Sequence, residues 1–362
     1  MHILITNPFG IGDVLFSLPM VYALKREYPN SRIDYICNRR VADILRAQED
    51  IERVYVYEKD EWRDRFSQSK LKAVRDFRGF LKVIKRERYD IAFDLSLSRE
   101  FGFMLWFLGI RLRVGYNYKN RGIFLNRSLP LKGFSGKHLV QYHLRLLSLL
   151  GLDSKYPEKK LSIPTGYIER AKSRINSIKK RDNLLIAVIP GGGTSWGKDA
   201  YKKRWADEKY SRLSCLIAGE FKAVLLVMGD KDDSLKFTIP KNCKNIYNYM
   251  GQTEIVEFAA LISQSDLVIT NDGGPLHIAA ALGIPTISIF GPVPEEIYGP
   301  YPLSVKHRVI TADLSCRPCY YKFKVPECND YKCLSNISVD YLFDEFKKHV
   351  KLLGLQYEDK IS

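Results

Sequence analysis

Long apolar stretches are missing from this chain of 362 residues. None approaches the roughly 18–20 consecutive apolar residues that a membrane-spanning helix requires. The best candidate, Phe101 to Ile110, is bracketed by Glu100 and Arg111, and that length predicts a helix buried in a protein core. Residues Met1 to Pro8 bring neither a basic start nor the apolar segment of a signal peptide, so the protein is expected to stay in the cytoplasm. Acidic residues are scarce in the first half. Residues 1–165 hold 30 Lys and Arg against 18 Asp and Glu, whereas 166–362 hold 27 against 23, so most of the net charge of +16 lies in the first half. No short internal repeat is present, which argues against a solenoid.

What is present suits a globular protein of two domains, because one core rarely grows to this length. The hydrophobic fraction is 46% and the charged fraction 27%, values that exclude wholesale disorder. Segment Arg63 to Arg88 holds ten cations against Asp64, Asp76 and Glu87. Such a surface attracts nucleic acid, acidic lipid or phosphorylated saccharide, although a solvated helix face carries the same charges. Its apolar residues Leu71, Val74, Phe77, Leu81 and Ile84 are spaced by three and four. They predict an amphipathic helix with that stripe on a sheet.

Seven cysteines occur, four of them late: Cys316-x2-Cys319, then Cys328 and Cys333. A cytosolic setting predicts reduced thiols rather than disulfides. The late four could hold zinc, or fold a loop without metal, and the spacing of the second pair is not that of a zinc finger.

Strands and helices alternate along the chain. Strands are expected at His2–Thr6, Arg32–Cys37, Val54–Tyr57, Asp90–Leu95 and Arg111–Tyr116, with a helix that starts at Val14 and ends before Pro29, another at Val41–Arg46 and a buried one at Phe101–Leu108. A polar stretch from Asp153 to Thr165 reads as a crossing, after which the alternation restarts with Leu184–Ile189, Ala223–Met228, Leu267–Thr270 and Thr286–Phe290 as strands. This grammar calls for parallel sheets covered on both faces. It gives an α/β protein of domains 1–165 and 166–338, with a terminal helix in 339–362 whose apolar face is available to pack back on the N-terminal domain.

Glycine-rich turns follow strands in both halves, where open α/β sheets bind ligands. Gly10-Ile11-Gly12-Asp13-Val14-Leu15 begins like a dinucleotide fingerprint, but Leu15 replaces the third glycine and Asn38 stands where an acid would follow the second strand. A nicotinamide oxidoreductase is therefore disfavoured. The turn does present Asp13 at a helix mouth. There it acts either as a dipole-complementing acid, worth roughly 0.3–1 kcal/mol, or as a general base within reach of a hydroxyl. In the second half, Pro190-Gly191-Gly192-Gly193-Thr194-Ser195 exposes amides to an anion, with Thr194 and Ser195 as candidate donor contacts. Lys202-Lys203-Arg204-Trp205 adds cations beside an aromatic anchor. Thr270-Asn271-Asp272-Gly273-Gly274-Pro275-Leu276-His277 runs from a strand into a helix whose first amides form a phosphate site.

Gly10-Ile11-Gly12-Asp13-x4-Leu18-Pro19, together with Asn271 through Leu276, His277-x-Ala279-Ala280-Ala281-Leu282-Gly283-x-Pro285-Thr286 and Phe290-Gly291-Pro292, resembles glycosyltransferase family 9. This is the family of ADP-heptose:lipopolysaccharide heptosyltransferases. Tyr89-Asp90-x3-Asp94-Leu95, Pro190-Gly191 and Lys203-Arg204-Trp205 also fall where that family has its marks. The resemblance implies a GT-B fold of two Rossmann-like domains facing across a cleft. The first binds the acceptor, the second binds the nucleotide-sugar donor, and catalysis uses no metal and no cofactor.

The family's base maps onto Asp13 and its donor-phosphate lysine onto Lys203. Its Asp-Thr-Gly-x-x-His motif maps onto Asp272, Gly274 and His277, with Gly273 in place of Thr, which leaves a backbone amide only. Asp230 or Asp232 is implied for the nucleoside, and Gly251 to Thr253 for a donor-side loop. Gly12, Lys70, Arg75, Arg78 and Arg121 are the acceptor candidates. The expected reaction is an inverting transfer of heptose from ADP-heptose to an anionic lipopolysaccharide core. It would be run by a peripheral protein at the inner face of the cytoplasmic membrane, with no nucleic-acid partner. Alternatives are transfer of a hexose to another cell-surface glycan, or a non-catalytic polyanion-binding protein of this fold.

Overall fold

The computed structural model describes residues 1–180, 183–192, 197–231 and 237–355. They form two compact units that divide between Lys159 and Lys160. The first runs β1 (His2–Asn7), α1 (Ile11–Leu15), α2 (Leu18–Glu27), β2 (Arg32–Cys37), α3 (Arg39–Arg46), β3 (Arg53–Val56), α4 (Lys59–Gln68), α5 (Lys70–Arg86), β4 (Ile91–Asp94), α6 (Arg99–Phe107), β5 (Leu112–Tyr118), β6 (Arg127–Leu131) and α7 (Leu139–Arg145). The second runs α8 (Thr165–Asn176), β7 (Leu184–Ile189), α9 (Asp207–Glu220), β8 (Ala223–Val227), β9 (Ile246–Asn248), α10 (Ile255–Ser263), β10 (Leu267–Asn271), α11 (Gly274–Leu282), β11 (Thr286–Phe290), α12 (Glu295–Tyr298), β12 (His307–Thr311), α13 (Lys332–Ser335) and α14 (Val339–Leu352).

Each unit is built on a six-stranded parallel sheet, ordered β3-β2-β1-β4-β5-β6 in the first and β12-β11-β10-β7-β8-β9 in the second. Counted from each unit's own first strand, both orders are the doubly wound 3-2-1-4-5-6. The winding reverses between β1 and β4, where Thr6 pairs with Asp94, and between β7 and β10, where Ile189 pairs with Thr270. Central strands such as β7, LLIAVI, are buried along their whole length, as expected when helices cover both faces.

The terminal helix α14 is part of the second unit's core. Leu342, Phe346 and Val350 are fully buried beside Trp205, Tyr210 and Phe221, each contributing about 1.5–3 kcal/mol relative to exposure. The Phe346 ring meets that of Phe221 edge-on at 5.1 Å. Buried Glu345 ties the helix to β12 by accepting from Arg308 Nε at 2.8 Å, and His349 Nε2 lies 3.1 Å from the Lys306 carbonyl.

Four sequence expectations are corrected. The helix after the first glycine turn is two helices, because α1 ends at Leu15 and α2 starts at Leu18 with Pro19 in its first turn. The α5 stripe is rotated: Ala73, Leu81 and Ile84 are buried with Phe77 and Phe80 against them, while Leu71 is 87% exposed and Val74 39%. Trp62 of α4 covers the outer part of that stripe, 5.1 Å from the Phe77 ring. Helix α6 is buried on one face only, with Phe103, Trp106 and Phe107 exposed. Finally, Cys215 on α9 and Cys243 form a disulfide with Cα atoms 5.4 Å apart. Compartment argues about redox poise, whereas here the fold brings two distant thiols into register.

Glu345 supplies a stability test. The Lys348 hydrogen bond, followed by the Arg308 pair, holds its carboxyl below the ordinary 4.5 against the opposing effect of burial. A lowered native value means that the stabilisation is complete above that ordinary range and is lost as pH falls through the lowered one. Glu345→Gln should cost about 1–3 kcal/mol at neutral pH. The gap to the parent should close in urea melts run near pH 3. A gap that is the same at both pH values would deny the carboxylate this role.

Candidate active site

In the first unit, two buried asparagines shape the glycine turn. Asn7 Nδ2 donates to the Asp13 carbonyl at 3.0 Å and Asn7 Oδ1 accepts from Phe9 N at 3.3 Å. Asn38, which stands where a ribose-binding acid would, donates its amide to the Phe9 carbonyl. The turn is thus pinned from the tips of β1 and β2, and Gly10 opens α1 in an extended conformation. Asp13 lies in that helix's first turn, at the C-terminal edge of the sheet. Gly12 lies beside it.

Across the reversal, Asp94 is buried. Its Oδ1 accepts from Ser96 N at 3.0 Å, Ser96 Oγ at 2.6 Å and Thr6 Oγ1 at 3.2 Å. Burial outweighs these donors and pushes its pKa up to about 6. Asp94 therefore braces the tips of β1 and β4 together.

The other acceptor candidates are spread out. Lys70, Arg75 and Arg78 are exposed at positions along α5. Arg121 follows the tip of β5, its guanidinium 6.0 Å over the Tyr118 ring.

In the second unit the candidates converge on one edge. The β7 turn at Gly191 and Gly192, the β8 turn at Asp230, the β9 turn at Gly251 and the β10 tip at Asp272 all follow C-terminal strand ends. Gly251 N donates to the Gly229 carbonyl at 3.0 Å, which brings Gly251 beside Asp230. Gly251 has φ +68°, and a Cβ there would crowd Lys231 Cα. Thr253 precedes α10 in the same loop. Thr194, Ser195 and Asp232 lie outside the described residues.

At the centre, Asp272 is buried and its Oδ2 lies 2.6 Å from Lys203 Nζ, itself 14% exposed. This pair holds the lysine at the start of α11. Gly273 caps α11 without a side-chain hydrogen bond and Pro275 occupies the first turn, leaving the first amides and the helix dipole to an anion. His277, in the same turn, is 6% exposed. Lys202, the neighbour of Lys203, pairs instead with Asp199 at 2.8 Å.

Two residues quoted in the motifs acquire roles that spacing did not disclose. Asn271, fully buried, donates its amide to the Pro190 carbonyl and accepts from Trp205 N at 2.9 Å. Trp205 in turn donates Nε1 to the Ile337 carbonyl at 2.9 Å, anchoring the segment that carries Lys203. A buried Asn at a strand tip would have been the sequence signal.

The late cysteines lie in a loop pinned to the tip of β11. Arg317 Nε donates to the Gly291 carbonyl at 3.0 Å, and Cys319 N and Tyr320 N both donate to Pro292 O. Burial raises the pKa of the Cys319 thiol and pushes that of Cys333 up to about 11. Among the described residues no group of three or more His, Cys, Asp or Glu is placed to hold a metal ion.

A family model described as glycosyltransferase family 9 (heptosyltransferase) matches residues 77–328. Lipopolysaccharide heptosyltransferase 3 of Escherichia coli is 26% identical over 299 residues, covering 80% of this chain and 83% of that protein. Lipooligosaccharide heptosyltransferase 2 of Haemophilus influenzae is 28% identical over 322 residues, covering 86% and 88%. The solved structure of E. coli ADP-heptose lipopolysaccharide heptosyltransferase II superposes with a TM-score of 0.74 at 20% identity, over 97% of this chain and 99% of that one.

Gly273 gives the site a geometric test. A Cβ built there would stand against the Gly192 carbonyl, well inside the 3.0 Å that real Cβ atoms respect. Gly273→Thr should therefore not improve the site by adding a hydroxyl. Overpacking of backbone against backbone should cost about 1–3 kcal/mol, which lowers the thermal midpoint by roughly 2–4 °C per kcal/mol in a unit of this size. An unchanged midpoint would show that the two turns are not in contact.

Proposed function

Since this chain belongs to glycosyltransferase family 9, and is a glycosyltransferase of GT-B fold, we propose that it moves a heptose from ADP-heptose to an anionic lipopolysaccharide core. The transfer proceeds with inversion, at the inner face of the cytoplasmic membrane. The observation that carries the donor half is the Lys203–Asp272 pair at 2.6 Å, which sets a cation beside the open amides of α11. The names of the relatives supply the sugar and the acceptor class.

In this reading Asp13 takes the proton of the acceptor hydroxyl as its oxygen attacks the anomeric carbon. The bond from that carbon to the diphosphate breaks, and the electron pair leaves with the nucleotide. Lys203 and the amides of Gly273 and Gly274 meet the charge that builds on the leaving group, and this electrostatic aim is the main source of acceleration, without a metal ion. His277 lines the same mouth. Asp230, Gly251 and Thr253 face the nucleoside side, with Thr194 and Ser195 assigned to the donor turn. Gly12 gives the acceptor close access to Asp13. Lys70, Arg75, Arg78 and Arg121 gather the phosphorylated core by long-range attraction.

Release of ADP from ADP-heptose, dependent on acceptor glycolipid, tests the reaction. Asp13→Asn keeps size and folding but cannot accept a proton, so turnover should fall by about 10²–10⁴ while calorimetry shows ADP affinity unchanged. Activity within about threefold of the parent would leave Asp13 as a dipole-complementing acid alone.

Lys203→Ala should lower turnover by roughly 10²-fold, the scale of losing one leaving-group stabiliser. It also leaves Asp272 buried and unbalanced, so the variant is compared in an Asp272→Asn background. Lys202→Ala serves as the control, since Asp199 already engages that lysine. Equal losses at the two lysines would place the donor diphosphate elsewhere.

A further inference from the structure

Helix α6 is apolar on both faces, yet only one of them is covered. Phe101, Met104 and Leu105 are buried, whereas Phe103, Trp106 and Phe107 are 48%, 51% and 51% exposed. The exposed three stand at i, i+3 and i+4, so they share one side of the helix. The loop after β5 extends that side: Phe124 lies 5.3 Å from the Phe103 ring and 5.9 Å from that of Trp106, and Ile123 is 62% exposed. Single exposed apolar residues are ordinary, but a connected group of this kind marks a contact surface. Trp106 Nε1 is the one hydrogen-bonding group among these side chains.

Cations border the patch. Lys85 Nζ lies 5.7 Å over the Phe107 ring. Behind it a hollow of about 790 Å³ is lined by Lys82, Lys85, Arg86, Arg88 and Arg111, with Asp90 the one carboxylate in its lining. It opens where β4 and β5 begin, at the opposite end of the sheet from the Gly10 turn and Asp13. The hollow is thus not part of the acceptor turn.

Aromatic side chains flanked by lysine and arginine are what the boundary of an anionic bilayer selects. A protein partner or a base-reading nucleic-acid surface would ask for more hydrogen-bonding groups than this face offers. We propose that α6 and the loop at Ile123 and Phe124 dock on an anionic lipid bilayer. Phe103, Trp106, Phe107 and Ile123 enter the headgroup boundary, and the cations of the hollow engage lipid phosphates. The inference rests on the proposed function for its purpose, bringing a chain whose described residues include no helix long and apolar enough to span a bilayer to a membrane-held acceptor, but not for its physics.

The test uses vesicles of phosphatidylcholine mixed with phosphatidylglycerol, against pure phosphatidylcholine, with no glycolipid and no donor present. The full chain should cosediment with the mixed vesicles and much less with the neutral ones, and added salt should weaken the binding. A Phe103→Ser, Trp106→Ser, Phe107→Ser variant should lose roughly tenfold or more in partitioning, as should a Lys82→Glu, Lys85→Glu, Arg111→Glu variant. The aromatic variant should keep its thermal midpoint and its ADP release with a delipidated, water-soluble acceptor. Phe107→Ser alone is the milder variant if the triple one fails to fold. Equal vesicle binding by parent and variants would overturn the proposal. So would a parent that ignores vesicles but self-associates through the patch, or that binds single-stranded nucleic acid through it. Vesicle binding that persists while heptosyl transfer is absent would count against the proposed function alone.

Discussion

The C-terminal edge of the second unit's sheet depends on one buried amide. Asn271 donates to the carbonyl that ends β7 and accepts from the amide of Trp205, so it joins the two strands at the winding reversal to the segment that carries Lys203. A buried polar group of this kind is costly unless every bond is made. The same bonds that satisfy it fix the spacing of the Gly192 turn, the start of α11 and the Lys203–Asp272 pair. The first unit uses the same device with Asn7 and Asn38, which hold the Phe9–Gly10 turn from two strand tips. In both units short amides do what longer side chains could not, because loops at a crevice leave backbone groups that need partners close by.

Most of the scaffold was legible because parallel strands write themselves as near-continuous apolar runs. β1, β2, β4, β7, β8, β10 and β11 all announce themselves that way. Of the four strands that edge the sheets, β3 was legible at Val54–Tyr57 and the other three were not. β6, RSLPL, carries Arg127, Ser128 and Pro130, and β9 spans three residues. β12 holds His307 and Arg308 amid Val309 and Ile310. Each is half covered, so its sequence looks like loop. Helix α4 was invisible for the same reason: it has no buried residue, and it works through one aromatic, Trp62, laid on Phe77.

Site residues divide along a similar line. Motif spacing pointed to Asp13, Asp272 and Gly274, since glycines beside strand ends leave a local trace. The family read from the long signature between Asn271 and Thr286 is the family to which the chain belongs. What spacing cannot convey is which lysine of a neighbouring pair turns inward. Lys203 meets Asp272 and Lys202 meets Asp199, a choice made by the Trp205 anchor from residues far along the chain. Helix α6 failed differently. An all-apolar stretch predicts burial on average, but periodicity is silent when both faces are apolar, and only tertiary packing shows that one has no cover.

Gly273 shows how a departure from a family pattern can be structural rather than a loss. The motif that the resemblance implies has a threonine at this step, and here Gly273 stands in its place. The Gly192 carbonyl occupies the space that a side chain would need. Two backbone turns therefore approach more closely than any side chain allows, which is the use to which glycine is best suited. Close approach narrows the distance between the β7 turn and the first amides of α11, both of which bear on the same anion in the proposed reaction. A backbone amide nearer its ligand in a site of low dielectric is a stronger donor than one held back by a methyl group. Gly273, the first glycine of the signature, thus belongs to the geometry of Gly192 as much as to its own helix.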